Sequence, residues 1–251
     1  MNYSRNKLKK TLSVLVENLL PPVITRTIRW NRLGPHPFSK YKAKNRIDKQ
    51  MLQFMNYRAG FFVEIGAGDG VYLSNTYYFE KSLGWRGILV DPVLHHYLNC
   101  LTNRPKSVSF LCAATNFENQ SEYVNLKYGG YSTLIQGSQT DIFDTQQHIN
   151  DAASYIPSNN AGVEFIAPLR TMTEMLDSAN APKVIDFFSL DVEGNELEVL
   201  QGVDFARYRI KWLLIESREV TRITSYLEPF QFILRKRLAS CDYLFEYIGD
   251  I

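Results

Sequence analysis

The sequence predicts an α/β fold built on a parallel sheet, and three observations carry that prediction. Apolar runs of strand length alternate with helical patterns between Phe61 and Ala114, which makes consecutive βαβ units. The first run, Phe61-Phe62-Val63-Glu64-Ile65, breaks into Gly66, Gly68 and Gly70. That pattern reads as strand, tight turn and helix, a unit that lets backbone approach a ligand. Four apolar runs reach an acid at or near their ends: Glu64, Asp91, Asp191 and Glu216. In an open parallel sheet ligands bind beyond the carboxyl ends of the strands, so these acids are expected to line one crevice. Each alone has a plainer explanation, because an acid after a strand is a good helix N-cap.

At the start of the chain, Leu8, Leu12, Leu15 and Leu19 recur at helical spacing among lysines, until Pro21-Pro22 ends any helix there. A second basic segment runs from Arg26 to Arg32, and Pro35, Pro37 and the basic run to Lys49 read as a linker. Residues 1–50 carry 12 Lys or Arg against 2 acids, a net +10, while the rest of the chain carries 16 against 24, a net −8. Such a leader suits an anionic lipid face or a docking partner, and equally a helix packed on the domain with a solvated basic face. No apolar run approaches the roughly 20 residues that cross a bilayer, and Glu17, Pro21 and Pro22 interrupt any secretory pattern. Cys100, Cys112 and Cys241 are far apart and odd in number. The setting expected is therefore reduced and cytoplasmic, with peripheral membrane contact through residues 1–50 as an addition. The organisation expected is a basic extension over 1–50 and one folded domain over 51–251.

Around that domain the elements follow in order. A helix is expected over Ile47–Tyr57, a strand over Phe61–Ile65, and a helix from Tyr72 to Leu83 that Gly84 stops. A strand over Gly87–Val90 precedes a helix with Leu94, Tyr97, Leu98 and Leu101 on one stripe, and Val108–Ala114 is a third strand. Tyr123–Tyr128 and Tyr131–Ile135 flank Gly129-Gly130 as a hairpin. The polar, aperiodic stretch 136–162 has the length of a lid or binding loop, so 120–165 reads as an insertion that shapes an acceptor pocket. Glu164–Leu169 is extended, and Thr171 with Glu174 forms a capping box. A strand over Val184–Leu190 reaches Asp191, and a helix over Asn195–Gln201 stops at Gly202. Trp212–Ile215 reaches Glu216, a helix covers much of Thr221–Ala239, and Tyr243–Ile248 is a last strand.

The ligand is argued from three positions. Asp91 lies 21 residues after Gly70 and ends the second strand, where one carboxylate accepts from both hydroxyls of a ribose; the plainer reading is an Asp-Pro turn. The third glycine of the dinucleotide fingerprint is due at position 71, which is Val71, and no Lys-Ser/Thr follows for a P-loop. Glu64 would repel a pyrophosphate but suits a cationic ligand. S-adenosyl-L-methionine, with its sulfonium, ammonium and ribose diol, fits all three features. The net −8 of the domain argues against nucleic acid as a partner.

Glu64-x-Gly66-x-Gly68 after an apolar strand resembles the first motif of class I S-adenosylmethionine-dependent methyltransferases. Three further stretches resemble the FkbM-type family: Val71-Tyr72-Leu73-Ser74-Asn75-Thr76, Ile88-Leu89-Val90-Asp91-Pro92, and the run from Ile185 to Leu197 with Asp191-Val192-Glu193-Gly194-Asn195-Glu196 at its centre. The resemblance spans about Phe61 to Glu216 and leaves out the basic leader. It implies a Rossmann-like sheet with helices on both faces, S-adenosyl-L-methionine as cofactor, and O-methylation of a sugar, glycan or secondary-metabolite hydroxyl. It implies further that Glu64, Gly66 and Gly68, with Asp69 in the same turn, touch the methionine end, and that Ser74 and Asn75 reach its carboxylate. Asp91 would hold the ribose, and backbone near Cys112 and Ala113 would face the adenine. Asp91 stands where Glu is frequent. The chain also reaches Ile251 with no antiparallel seventh strand apparent, so either a truncated chain or a differently finished sheet edge is expected.

For the chemistry, Asp191, Glu193 and Glu216 are the general-base candidates, against helix capping and support of a first helical turn as structural roles. Asp191, Glu193 and Asn195 offer oxygens of the kind Mg²⁺ takes, but carboxylates two apart converge only in an irregular turn, so no metal is expected. His95 and His96 read as surface or packing residues, and His148 as a solvated loop histidine or a base. Two rivals stay open: a nicotinamide-dependent oxidoreductase, and a non-catalytic methyltransferase-like module. Oligomeric state is not written in the sequence.

Overall fold

The computed structural model describes residues 39–135, Gln147 and 162–250. The leader helix read over residues 8–19, the second basic segment and His148 lie outside the described residues. Eleven strands are described, in two sheets. The larger holds β1 (Phe61–Ile65), β2 (Arg86–Val90), β3 (Val108–Phe110), β8 (Val184–Leu190), β9 (Arg209–Glu216), β10 (Phe232–Arg237) and β11 (Asp242–Tyr247) in the order β10-β11-β9-β8-β1-β2-β3. Pairing is parallel from β9 through β8, β1 and β2 to β3, and β11 runs antiparallel between β9 and β10. The smaller sheet, in the order β4-β7-β5-β6, holds β4 (Ala113–Thr115), β5 (Tyr123–Lys127), β6 (Leu134–Ile135) and β7 (Glu164–Thr171).

Successive strand residues point to opposite faces, and each face of the large sheet has its own core. Val63, Ile65, Ile88, Val90, Ile185 and Leu213 pack on one side against α4 (Met172–Ser178), α5 (Glu196–Leu200) and α6 (Val220–Leu227), through Met175, Val199, Leu200, Ile223 and Leu227. Phe62, Leu89, Phe187 and Leu214 pack on the other, against Ala43, Ile47, Met51 and Met55, with Phe79 of α2 (Tyr77–Leu83) and Cys100 of α3 (Leu94–Asn103). Burial on both faces is why these strands read as continuous apolar runs. Residues 43–51, placed by sequence partly in the extension, form a 3₁₀ turn and α1 (Ile47–Met51) inside this second core.

Five expectations change. The helix expected over Thr221–Ala239 is α6 alone, and Phe232–Arg237 is strand β10. With β11, that strand supplies the antiparallel member the sequence seemed to lack. The helix after the glycine turn begins at Tyr77, because Ser74, Asn75 and Thr76 are drawn onto the Glu64 carboxylate instead. The stripe of Leu94, Leu98 and Leu101 faces outward, and α3 buries His96 and Cys100. The run Val108–Ala114 divides between β3 and β4, which belong to different sheets. The capping box at Thr171 and Glu174 is present with both of its hydrogen bonds.

Candidate functional site

From β1 the chain builds outward through β2 to β3, then returns to place β8 on the opposite side of β1. This reversal is the topological switch point, where a crevice opens at the strands' carboxyl ends. A cleft lies there, with about 600 Å³ of empty space that includes its opening to solvent. Its walls come from the end of β1 (Gly66, Gly68), the end of β2 (Asp91), the β3–β4 segment (Cys112, Ala113) and the loop after β8 (Asp191, Glu193, Asn195). Tyr131 and Thr133, between β5 and β6, lie on the remaining side. The cleft thus joins Gly66, Gly68, Asp91, Ala113, Asp191 and Glu193 among the expected site residues; Glu64, Asp69, Ser74, Asn75 and Glu216 are not in its wall.

Close packing shapes the glycine turn. Gly66 has φ +79°, and a methyl group there would overlap the Asp191 carbonyl oxygen. Gly68, at φ +54°, carries the Tyr131 ring on its Cα. Tyr131 also stacks on His96, with centroids 5.0 Å apart. On this side Asp91 is 7% exposed. One carboxylate oxygen accepts from the Gly68 N–H at 2.8 Å. The other accepts from the Val93 N–H at 2.9 Å and lies 3.1 Å from His96 Nδ1. His96, read from the sequence as a surface or packing residue, is a packing one: α3 turns it inward while the leucine stripe faces out.

The wall after β8 is electrostatically different. Burial first, then the nearby Glu216, Glu193 and Glu196, raise the Asp191 carboxyl well above the ordinary aspartate range, and it hydrogen-bonds Glu216. Glu216 also faces Asp242 across the β9–β11 register, and burial with that neighbour pushes Asp242 up to about 6. Lys44 answers this charge. Burial opposes its ammonium, but Glu216, Asp191, Asp242 and Glu193 outweigh that and raise its pKa. The loop itself is held by Glu196, whose carboxylate accepts from the N–H groups of Val192 at 3.1 Å and Gly194 at 3.0 Å. Glu193 sits there at φ +55°, a left-handed conformation that a non-glycine residue adopts only under local constraint.

Glu64 lies behind the cleft, 4% exposed. It accepts from Ser74 Oγ at 2.7 Å, the Asn75 N–H at 2.6 Å and Thr76 Oγ1 at 2.6 Å. Asn75 Nδ2 donates to Ser189 Oγ at 3.0 Å, and Asp69 accepts from the N–H groups of Val71 and Tyr72. The fully buried Arg104 ties this network together. It donates to Glu80 at 2.7 Å and to Gly70 O at 2.9 Å, and stands 3.9 Å from Glu64. Among the described residues, no group of three or more His, Cys, Asp or Glu is placed to hold a metal ion, and no helix is long and apolar enough to cross a membrane.

Fold and site together define a doubly wound α/β protein with a small-molecule cleft at its switch point. The Methyltransferase FkbM domain model matches residues 64–245, and the chain belongs to the FkbM methyltransferase family. Among solved structures the chain is similar to methyltransferase FkbM from Methylobacillus flagellatus KT, at 14% identity and a TM-score of 0.47, covering 87% of this chain and 49% of that one. It therefore spans about half the length of that structure. It is also similar to human methyltransferase 10 domain containing protein, at 8% identity and a TM-score of 0.41, covering 86% of this chain and 85% of that one. A methyltransferase from Geobacter sulfurreducens is a third, at 14% identity and a TM-score of 0.42, with 94% of each chain covered. A comparison with curated proteins gives no match.

Proposed function

We propose that this methyltransferase binds S-adenosyl-L-methionine and methylates a hydroxyl group of a sugar, glycan or secondary-metabolite acceptor. The observation that supports it most is one cleft with a glycine turn in the middle, the Asp91 carboxylate on one side and the buried, acid-crowded Asp191 on the other. The residues present fit the cofactor. Asp91 has three protein partners, and a carboxylate offers about four lone-pair directions, so capacity remains for a ribose hydroxyl. The backbone of Gly66 and Gly68 gives close approach, Cys112 and Ala113 offer an apolar wall to a base, and the acidic β8 side favours a cation.

When bound, the cofactor supplies a methyl group already activated on a sulfonium, so positioning accounts for much of the acceleration. The chain's own groups do the rest. Asp91 and the glycine turn orient, and the hairpin carrying Tyr131 excludes water. Asp191 accepts the proton that leaves the acceptor hydroxyl, worth roughly 10²–10⁴-fold. Its crowding by Glu216 and Glu193 makes it a stronger base than an ordinary aspartate. Thermal unfolding with S-adenosylhomocysteine or NAD tests the reading. At about 100 times its Kd, S-adenosylhomocysteine should stabilise the protein by about 2.7 kcal/mol, a rise of several degrees, with none from NAD. Stabilisation by NAD alone sinks the proposal.

A further inference from the structure

We propose that Asn195 holds the amino-acid end of the cofactor, its amide oxygen accepting from the ammonium and its amide nitrogen donating to the carboxylate. This rests on the cofactor reading above and adds a residue to it. Asn195 is 2% exposed and lines the cleft beside Asp191 and Glu193. Yet neither its Oδ1 nor its Nδ2 has a hydrogen-bond partner among the described residues. Buried polar side chains are nearly always paired, because an unpaired one forfeits its hydration without return. A donor and an acceptor left open together, in a residue of the cleft wall, point to a ligand that presents both.

The residue is also held in place. Asn195 precedes α5, but its side chain makes no cap bond; its carbonyl instead accepts from the Val199 N–H at 3.2 Å. Glu196 fixes the two preceding N–H groups of the loop, and the Gly66 backbone abuts the Asp191 carbonyl. The position suits the role. β2, β1 and β8 are consecutive neighbours, and strands lie about 4.8 Å apart, so the loop after β8 is about 10 Å from the loop carrying Asp91. That is the reach of an amino-acid tail from a ribose. The groups first expected to hold this tail are engaged elsewhere, since Glu64 accepts from Ser74, Asn75 and Thr76, and the Asn75 amide donates to Ser189. Charge agrees as well: Asp191 and Glu193 favour the ammonium, while a neutral amide N–H is the donor a carboxylate needs among acids.

Calorimetric titration of the whole protein with two probes tests this. S-adenosylhomocysteine carries the amino-acid tail, and 5′-methylthioadenosine has the adenosine and the sulfur without it. Asn195→Ala should weaken S-adenosylhomocysteine by about tenfold or more and leave 5′-methylthioadenosine within about twofold of wild type. Asn195→Asp should weaken S-adenosylhomocysteine too, because it loses the donor and sets a charge against the carboxylate. Ligand-free Asn195→Ala should melt at the wild-type temperature or above, since an unpaired buried amide contributes nothing to the empty fold. An equal loss for both probes, unchanged S-adenosylhomocysteine binding, or a lower melting temperature overturns the proposal. Wild-type protein that binds neither probe overturns the cofactor reading, and this proposal with it.

Discussion

Glu64 and Asp191 belong to adjacent parallel strand ends, one near the end of β1 and the other just beyond β8, with the Asp191 N–H bonded to the Ile65 carbonyl. Their surroundings are opposite. Glu64 has three hydrogen-bond donors on its two oxygens and a buried guanidinium 3.9 Å away. Asp191 has carboxylates around it and, among the described residues, an unpaired amide four residues on. A satisfied buried charge organises structure, and an unsatisfied one in a cleft is poised for chemistry. Two acids that look alike in sequence thus divide into one satisfied by donors and one crowded by like charge.

That division can be broken most sharply at Asp191. Asp191→Asn should lower turnover by roughly 10²–10⁴-fold, while melting temperature stays near wild type and S-adenosylhomocysteine binding weakens far less than turnover falls. A base must be deprotonated to act, so wild-type turnover should fall as pH drops through a limb above the ordinary aspartate value of about 4. The limb should vanish in this variant. Glu64→Ala is the converse. It leaves three buried donors without their acceptor, while Arg104 keeps Glu80, so a loss of about 3 kcal/mol or more in denaturant unfolding is expected, with the pH limb of any folded enzyme unmoved. Equal effects on stability at both acids would erase the contrast.

Gly66→Ala joins the two regions, because its methyl group would strike the Asp191 carbonyl at a positive φ. A loss of about 2–3 kcal/mol is expected, together with weaker S-adenosylhomocysteine binding in calorimetry. Lys44→Met sharpens the contrast at least cost. Removing the cation near Glu216 and Asp191 favours the protonated acid, so the limb should move upward, and by less in high salt.

Much of the frame was legible because its signals are local. Phe61–Ile65 and Val184–Leu190 were read with the bounds they have, since strands buried on both faces are continuous apolar runs ending at polar turns. The Thr171 capping box spans four residues and needs no tertiary partner. Strand β10, Phe-Ile-Leu-Arg-Lys-Arg, was hidden because only Phe232 is buried and the rest is an exposed edge. In the cleft, Gly66, Gly68, Asp91 and Asp191 announced themselves by lying at strand ends. His96 and Tyr131 did not, since a histidine on a helix and a tyrosine after two glycines carry no periodic signal, and Asn195 stood out only as an oxygen donor beside Asp191 and Glu193.

The sequence by itself determined that apolar runs and helices alternate, that acids stand at strand ends, and that glycines interrupt the first turn. These follow from residue type and spacing, which local sterics and hydrophobic periodicity convert directly into elements. Only the tertiary structure decided that Glu64 turns inward to Ser74 and Thr76, that Asp191 meets Glu216, and that Asn195 is buried without a partner. Which donors and charges surround a carboxylate depends on segments far apart in the chain, and folding alone brings those together.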